Sequence, residues 1–305
     1  MARPVALITP SYYGDFDRFS LLCDSIDRHV VGYERHYVIV SDDDMSLFRR
    51  FGGERRIVLP SSQFLPRWLR LAPRVKLANG RKIWWSLRAW PVHGWHIQQI
   101  LKIAAAMEMP ERRFCLIDSD NVFVRPFDVG AYAGGERSPL YLQRAAIASD
   151  APLHANWTRN CDRLLGHAAT RFPADDYIGH VIVWDKDAVG DMARAIERAT
   201  GLSWPLALCR TRAFSEYLLY GHFVQGSSAR RAEHETTTQS LAVSYWGEAP
   251  LDAASVADMI ARATTGQVAL SVQSFSHTSE AMIREAAGLS GPAKSGGAPS
   301  HLHAA

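Results

Sequence analysis

The chain has 305 residues, 47% of them hydrophobic, enough to bury a full core as one large domain or two fused halves and too apolar for a disordered chain. Its 34 basic residues nearly balance 31 acidic ones, and a formal net charge of +3 sets up no polyelectrolyte field, which argues against nucleic acid as the partner. The small positive excess still permits local basic patches that meet phosphates or an anionic membrane surface, one of them between Arg67 and Arg88.

Residues 5–9 form an unbroken apolar run that predicts a buried strand. Pro10 and Ser11 end it at once, so it is too short for a signal peptide or a membrane span. Residues 17–29 carry Phe19, Leu21, Leu22 and Ile26 at helical spacing. Residues 36–40 predict a second buried strand, ended by Ser41, Asp42, Asp43 and Asp44, and residues 56–59 a weaker third. This alternation predicts an α/β fold with a mostly parallel, nucleotide-binding sheet flanked by helices. Residues 61–91, rich in Arg, Lys, Trp and Pro without a steady period, are expected to be a long functional loop or lid carrying short helices. Residues 95–108 predict a helix with Ile97, Leu101, Ala104 and Ala105 on one side, and residues 113–117 a strand. Asp118, Ser119, Asp120 and Asn121 follow at its carboxyl end, where open α/β sheets bind ligands.

In the second half, residues 179–184 predict a strand, and residues 188–200 and 214–220 predict helices. Residues 288–305, dominated by Gly, Ser, Pro, Ala and His, are expected to be a disordered tail. The expected organisation is therefore a nucleotide-binding half over residues 1–130, an acceptor and catalytic half over 131–287, and the tail. Cys23, Cys115, Cys161 and Cys209 form no CxxC pair and read as reduced core residues of a cytoplasmic protein. The longest other apolar stretch is broken by Lys102 and Glu108, so the expectation is a soluble chain or one peripheral at the inner face of a membrane.

The chemistry centres on Asp118 and Asp120. Two carboxylates one residue apart at a strand end can hold Mn²⁺ or Mg²⁺, hard cations that bridge protein carboxylates to substrate phosphates. A strand-to-turn cap would use the same letters, because Asp and Asn favour turns.

The run from Phe114 through Asp118, Ser119 and Asp120 to Phe123 resembles the DxD segment of GT-A glycosyltransferases. Ile8-Thr9-Pro10-Ser11-Tyr12 is similar to the first strand and nucleotide loop of that fold, and Val38-Ile39-Val40-Ser41-Asp42-Asp43 to its second strand. Order and spacing agree over about the first half of the chain. Within that class the chain is most similar to a bacterial surface-polysaccharide group that carries Gln-Gln-x-Leu-Lys before the acidic triplet, here Gln98-Gln99-Ile100-Leu101-Lys102. The resemblance implies a nucleotide-diphospho-sugar transferase fold. It also implies a metal-dependent transfer from a UDP-sugar to a polysaccharide or glycolipid acceptor. Pro10, Ser11 and Tyr12 would frame base and ribose, Asp42 would reach the nucleoside, and Ser119 lies within the cation triplet. Gln98 and Lys102, one helical turn apart, can face one ligand.

An inverting transfer needs a base opposite the leaving diphosphate. Glu216 is the candidate, placed in the first turn of a helix that Ser215 or a preceding residue caps; a helix-dipole partner is the plainer alternative. By the same resemblance a late histidine would complete the metal site, with His234 preferred over His222 and His277. The alternatives to a glycosyltransferase are a nucleotidyltransferase of similar fold and a non-catalytic glycan-binding or scaffold protein. Against the first, the loop from Pro10 to Asp15 is neither Gly-rich nor basic.

Overall fold

In the computed structural model, which describes residues 3–76 and 82–289, the apolar runs of the first half pair into one sheet. Its five strands lie in the order Ile182–Asp185, Arg113–Leu116, Val5–Pro10, His36–Val40, Arg56–Pro60. Val5–Pro10 is parallel to both neighbours and His36–Val40 is parallel to Arg56–Pro60, while Ile182–Asp185 runs antiparallel at the other edge. Every residue of Val5–Pro10, His36–Val40 and Arg113–Leu116 is buried, which is why these strands read as unbroken apolar runs and do not alternate. Arg56–Pro60, at the open edge, is half-buried throughout and correspondingly weaker in sequence.

Alternate residues of the first strand feed two cores. Ala6 and Ile8 pack with Ile97, Ile100, Leu101 and Ala104 of helix Gly94–Glu108. Val5 and Leu7 pack with Phe19, Leu22 and Ile26 of helix Phe16–His29. The two helices therefore cover opposite faces of a mixed α/β layer structure, as the period-two geometry of a strand requires. A second, three-stranded sheet joins Asn121–Phe123 to Ala269–Val272 antiparallel, and Ala269–Val272 to Ala242–Tyr245 parallel. Both sheets thus draw strands from both sides of residue 130.

The predicted helices are present with shifted ends. Lys186–Thr200 starts at Asp185, whose Oδ1 accepts from the Asp187 N–H at 3.0 Å, and stops at Gly201 with φ +67°. The helix predicted over 214–220 begins at Glu216 and runs to Gly226; Ser215 precedes it, and its side chain makes no capping bond. Residues 61–91 differ from expectation. Besides a 3-10 turn at Ser61–Gln63 they hold strands Arg70–Lys76 and Lys82–Trp85, the latter also pairing with Val92–His93, all antiparallel. Lys82 and Trp84 are buried and Trp85 is exposed, the period of a strand, concealed in the sequence because one inward side chain is charged. Residues 77–81, and the expected tail apart from Gly288 and buried Leu289, lie outside the described residues. Among the described residues no helix is long and apolar enough to cross a membrane.

Helix Glu216–Gly226 is held close to the segment before the edge strand. A Cβ added at Gly221 would lie 2.1 Å from Tyr177 Cγ. Gly221→Ala gains up to about 1 kcal/mol of helix propensity but forces a buried ring to move. A net loss of roughly 1–2 kcal/mol is expected in urea unfolding, and an unchanged midpoint would show that this contact is not tight.

Candidate active site

The parallel strands end on a cavity of about 940 Å³. Pro10 enters it from the end of the first strand, and Asp118, Ser119 and Asp120 from just beyond Arg113–Leu116. Gln98, Gln99 and Lys102 come from helix Gly94–Glu108, and Glu216 and Tyr217 from the start of helix Glu216–Gly226. The carboxyl ends of parallel strands are where side chains and turns of different elements converge without blocking the sheet.

Lys102 is the hub. Its Nζ lies 2.7 Å from Asp118 Oδ1, and it donates to Glu216 Oε1 at 2.8 Å and to Tyr217 OH at 2.9 Å. The ammonium also sits 4.6 Å from the centre of the Tyr217 ring. Burial alone would lower the Lys102 pKa, but Asp118 and Glu216 overcome it and hold the group well above the ordinary lysine value. Burial raises the Glu216 carboxyl above the ordinary glutamate value, with the Lys102 charge only partly opposing it. Glu216 is buried, and its N–H donates to Gln99 Oε1 at 3.1 Å, so the neighbouring glutamine fixes the helix start that a Ser215 cap was expected to fix.

Three further carboxyls share the cavity wall, those of Asp120, Asp15 and Asp176. Burial, with Asp118 and Asp15 adding negative charge, pushes Asp120 up to about 7. Asp15 is pushed up to about 6, chiefly by burial, with Arg18 opposing. Asn121 shapes the acidic turn by donating through Nδ2 to Asp118 O at 3.0 Å and to Asp120 Oδ1 at 3.1 Å. Ser119 donates its hydroxyl to Ser11 Oγ at 2.9 Å, tying the turn to the first loop.

A smaller cavity of about 170 Å³ adjoins the first and shares Asp15, Trp95, Gln98 and Ser274 with it. Ser11 and Tyr12 line it, together with Ser41 and Lys82. Lys82 pairs with Asp44 at 2.8 Å, and Asp44 Oδ2 also accepts from Ser41 Oγ and the Tyr13 N–H.

Asp42 lines neither cavity: it is exposed and accepts from the Ser62 N–H at 3.2 Å and from the Ser62 hydroxyl. Its neighbour Ser41 is the residue of that loop which lines the smaller cavity, alongside Lys82. His234 is also elsewhere. Its Nε2 meets Tyr220 OH at 2.8 Å and its Nδ1 meets Arg230 O at 2.6 Å, so both ring nitrogens are committed inside strand His234–Thr237. His222 pairs with Asp162 at 3.3 Å and His277 is exposed at a φ of +54°; neither lines the cavity.

Two histidines line the cavity: His154, which pairs with Asp176 at 3.5 Å, and His180 at its inner wall. His180 Nδ1 is 3.1 Å from Ser271 Oγ, its ring lies 5.3 Å from that of Trp246, and its buried Nε2 finds no hydrogen-bond partner among the described residues. Burial lowers His180 to about 4, so it is a neutral imidazole at physiological pH. Val181, next in the chain, has φ +60°, an uncommon conformation for a β-branched residue that turns the chain sharply between His180 and the edge strand. Sequence reading also missed Asp15. An acid just before a helix reads as a cap, yet its side chain makes no capping bond to Phe16–His29.

Among the described residues no cluster of three or more His, Cys, Asp or Glu side chains could hold a metal by itself. Asp118 and Asp120 offer hard oxygen donors, which fits Mg²⁺ or Mn²⁺ bound through one or two carboxylates, with phosphate oxygens and water filling the other positions.

The chain matches the model of a family of unknown function (DUF6492) over residues 4–287. No curated protein matches it.

Proposed function

The chain belongs to this family of unknown function, and we propose that it is a cation-dependent, inverting glycosyltransferase. In this reading it moves a sugar from a nucleoside diphosphate, uridine diphosphate in the first instance, to a glycan or lipid-linked acceptor. The observation that carries the reading is the convergence of Asp118, Asp120, Lys102 and Glu216 on one cavity at the carboxyl ends of parallel strands. The GT-A resemblance of the first half supports it, as does a partly parallel sheet with an antiparallel edge strand.

In the transfer, an acceptor hydroxyl attacks the anomeric carbon, the bond from that carbon to the diphosphate oxygen breaks, and the electron pair leaves with the diphosphate. A bound Mn²⁺ or Mg²⁺ would supply Lewis-acid stabilisation of that leaving group. Lys102 bridges Asp118 and Glu216 and so fixes the base relative to the acidic turn, a preorganised charge that needs no rearrangement. Glu216 takes the acceptor proton. Burial holds the Glu216 carboxyl above the ordinary glutamate value, with Lys102 opposing, so it accepts a proton more readily than a surface carboxylate. The smaller cavity, lined by Ser11, Tyr12 and Lys82, is of the right character for the nucleoside end, with an aromatic ring and polar groups side by side.

A nucleotidyltransferase is disfavoured by Asp15, which sets a carboxyl where the triphosphate-binding loop of such an enzyme would offer backbone N–H groups and a cation. A scaffold is disfavoured by the buried charge cluster, which is costly to maintain without a use.

Incubation with Mn²⁺ and a panel of nucleotide sugars is expected to release nucleoside diphosphate from at least one donor. Indifference to every donor would count against the reading. Glu216→Gln, close to isosteric and still able to accept from Lys102, is expected to lower kcat by about 10²–10⁴ with donor affinity retained. Near-normal turnover would remove Glu216 from the mechanism.

A further inference from the structure

Away from the charged centre, the turn that follows strand Lys82–Trp85 carries apolar side chains into solvent. Leu87 is 96% exposed and Trp90 64% exposed, and Trp85 and Trp95 flank them, also exposed. Isolated exposed apolar residues need no explanation, but four of them fall within eleven consecutive positions here.

The patch is set among arginines. Arg70 is the cross-strand partner of Trp85, and the Arg212 guanidinium lies 5.1 Å from the Trp90 ring centre. Arg210, at the end of helix Trp204–Arg210, donates to Arg88 O at 3.0 Å, which joins that helix to the same face. Arg67, Arg70, Arg88, Arg210 and Arg212 are all exposed, and none makes an ion pair among the described residues. The sequence supplies no local compensation, since no Asp or Glu occurs between Glu54 and Glu108.

We propose that this face, the 85–95 turn with its unpaired arginines, docks the protein on an anionic lipid bilayer. The two chemistries are those a bilayer interface accepts together: Trp rings at headgroup level, a Leu at the acyl boundary and guanidinium groups on lipid phosphates. A second copy of the chain fits poorly, because a two-fold contact through this patch would set its arginines against their own counterparts. A single-stranded nucleic acid needs open ring faces for base stacking. Here Arg212 covers a Trp90 face, Trp95 is stacked on Trp157 at 5.5 Å, and Leu87 offers no ring. Trp95 also lines both cavities, so the docking face borders the mouth of the candidate active site. Docking does not depend on the glycosyltransferase reading; if both hold, the acceptor is presented from the membrane.

The test is co-sedimentation of the full chain with vesicles of phosphatidylcholine alone and of phosphatidylcholine mixed with phosphatidylglycerol. Binding is expected only to the mixed vesicles, weakening as salt rises. The double variant Leu87→Ser/Trp90→Ser, and separately Arg88→Gln/Arg212→Gln, are each expected to weaken it by roughly tenfold or more. All four positions are exposed, so an unchanged thermal midpoint will show that the fold is intact. Equal binding to both vesicle types, or variants that sediment like the parent, would overturn the proposal. So would tighter binding to polyuridylate than to vesicles, or a dimer that dissociates in the Leu87/Trp90 variant.

Discussion

Lys102→Met is expected to destabilise the protein by about 3–5 kcal/mol, although it replaces a buried charge with a side chain of similar length. The loss arises because the partners remain. Glu216 is buried against Lys102 with a side-chain exposure of only 5%, and Asp118 shares the same ammonium. Removing the cation leaves two carboxylates facing each other, one with no water to replace it. Asp118 is 37% exposed and can recover hydration from the cavity, so most of the cost falls on Glu216. The double variant Lys102→Met/Glu216→Gln should therefore recover part of the stability, since no buried charge is then left unpaired on that helix. Lowering the pH should also narrow the gap between Lys102→Met and the parent, as the stranded carboxylates take up protons. Urea unfolding of the three proteins checks this; an undisturbed midpoint for Lys102→Met would mean that the triad does not hold the helix to the sheet.

Asp120→Asn is expected to move stability and activity in opposite directions. Burial and the negative charge of Asp118 and Asp15 push Asp120 from 3.8 up to about 7, so the folded state holds a proton that the unfolded chain releases. For an acid shifted upward, the cost is absent below the unfolded pKa, grows as pH rises from about 4 to about 7, and is constant above. With divalent cations chelated, the parent should lose up to about 4 kcal/mol of stability across that window. The Asn variant removes that ionisation and should be the more stable protein at about pH 8. Its cation-dependent turnover should fall by about 10²–10³ or more, because a hard oxygen ligand has been replaced by a weak one. Thermal midpoints in chelator at several pH values, paired with donor hydrolysis in Mn²⁺, measure both effects. A variant less stable than the parent at alkaline pH would show that Asp120 is held by favourable contacts rather than strained by its neighbours.

The strands that build the main sheet were readable because burial on both faces leaves unbroken apolar runs, and the acidic pair was readable because it directly follows one of them. Lys102 and Glu216 were each identifiable as candidates, but not their pairing, since 114 positions separate residues that meet at 2.8 Å. Lys82 was hidden inside a segment taken for a loop, because a buried cation breaks the apolar alternation that marks a strand. Histidine choice was beyond composition and spacing. His234 and His180 differ only in what surrounds their ring nitrogens, two committed partners in one case and an orphaned Nε2 in the other. Asp42 and Asp44 stand two residues apart in one acidic run, and only the fold shows that Asp44 meets Lys82 beside the smaller cavity while Asp42 caps the Ser62 backbone.

Calorimetric titration of UDP into the protein, with Mn²⁺ and then with the cation chelated, bears most directly on the idea that Asp118 and Asp120 hold an ion that in turn holds a diphosphate. Heat of binding is expected with the cation, and little or none after chelation or in Asp120→Asn. Equal affinity in the presence and absence of Mn²⁺, or unaltered Mn²⁺-linked affinity in the Asn variant, would contradict it.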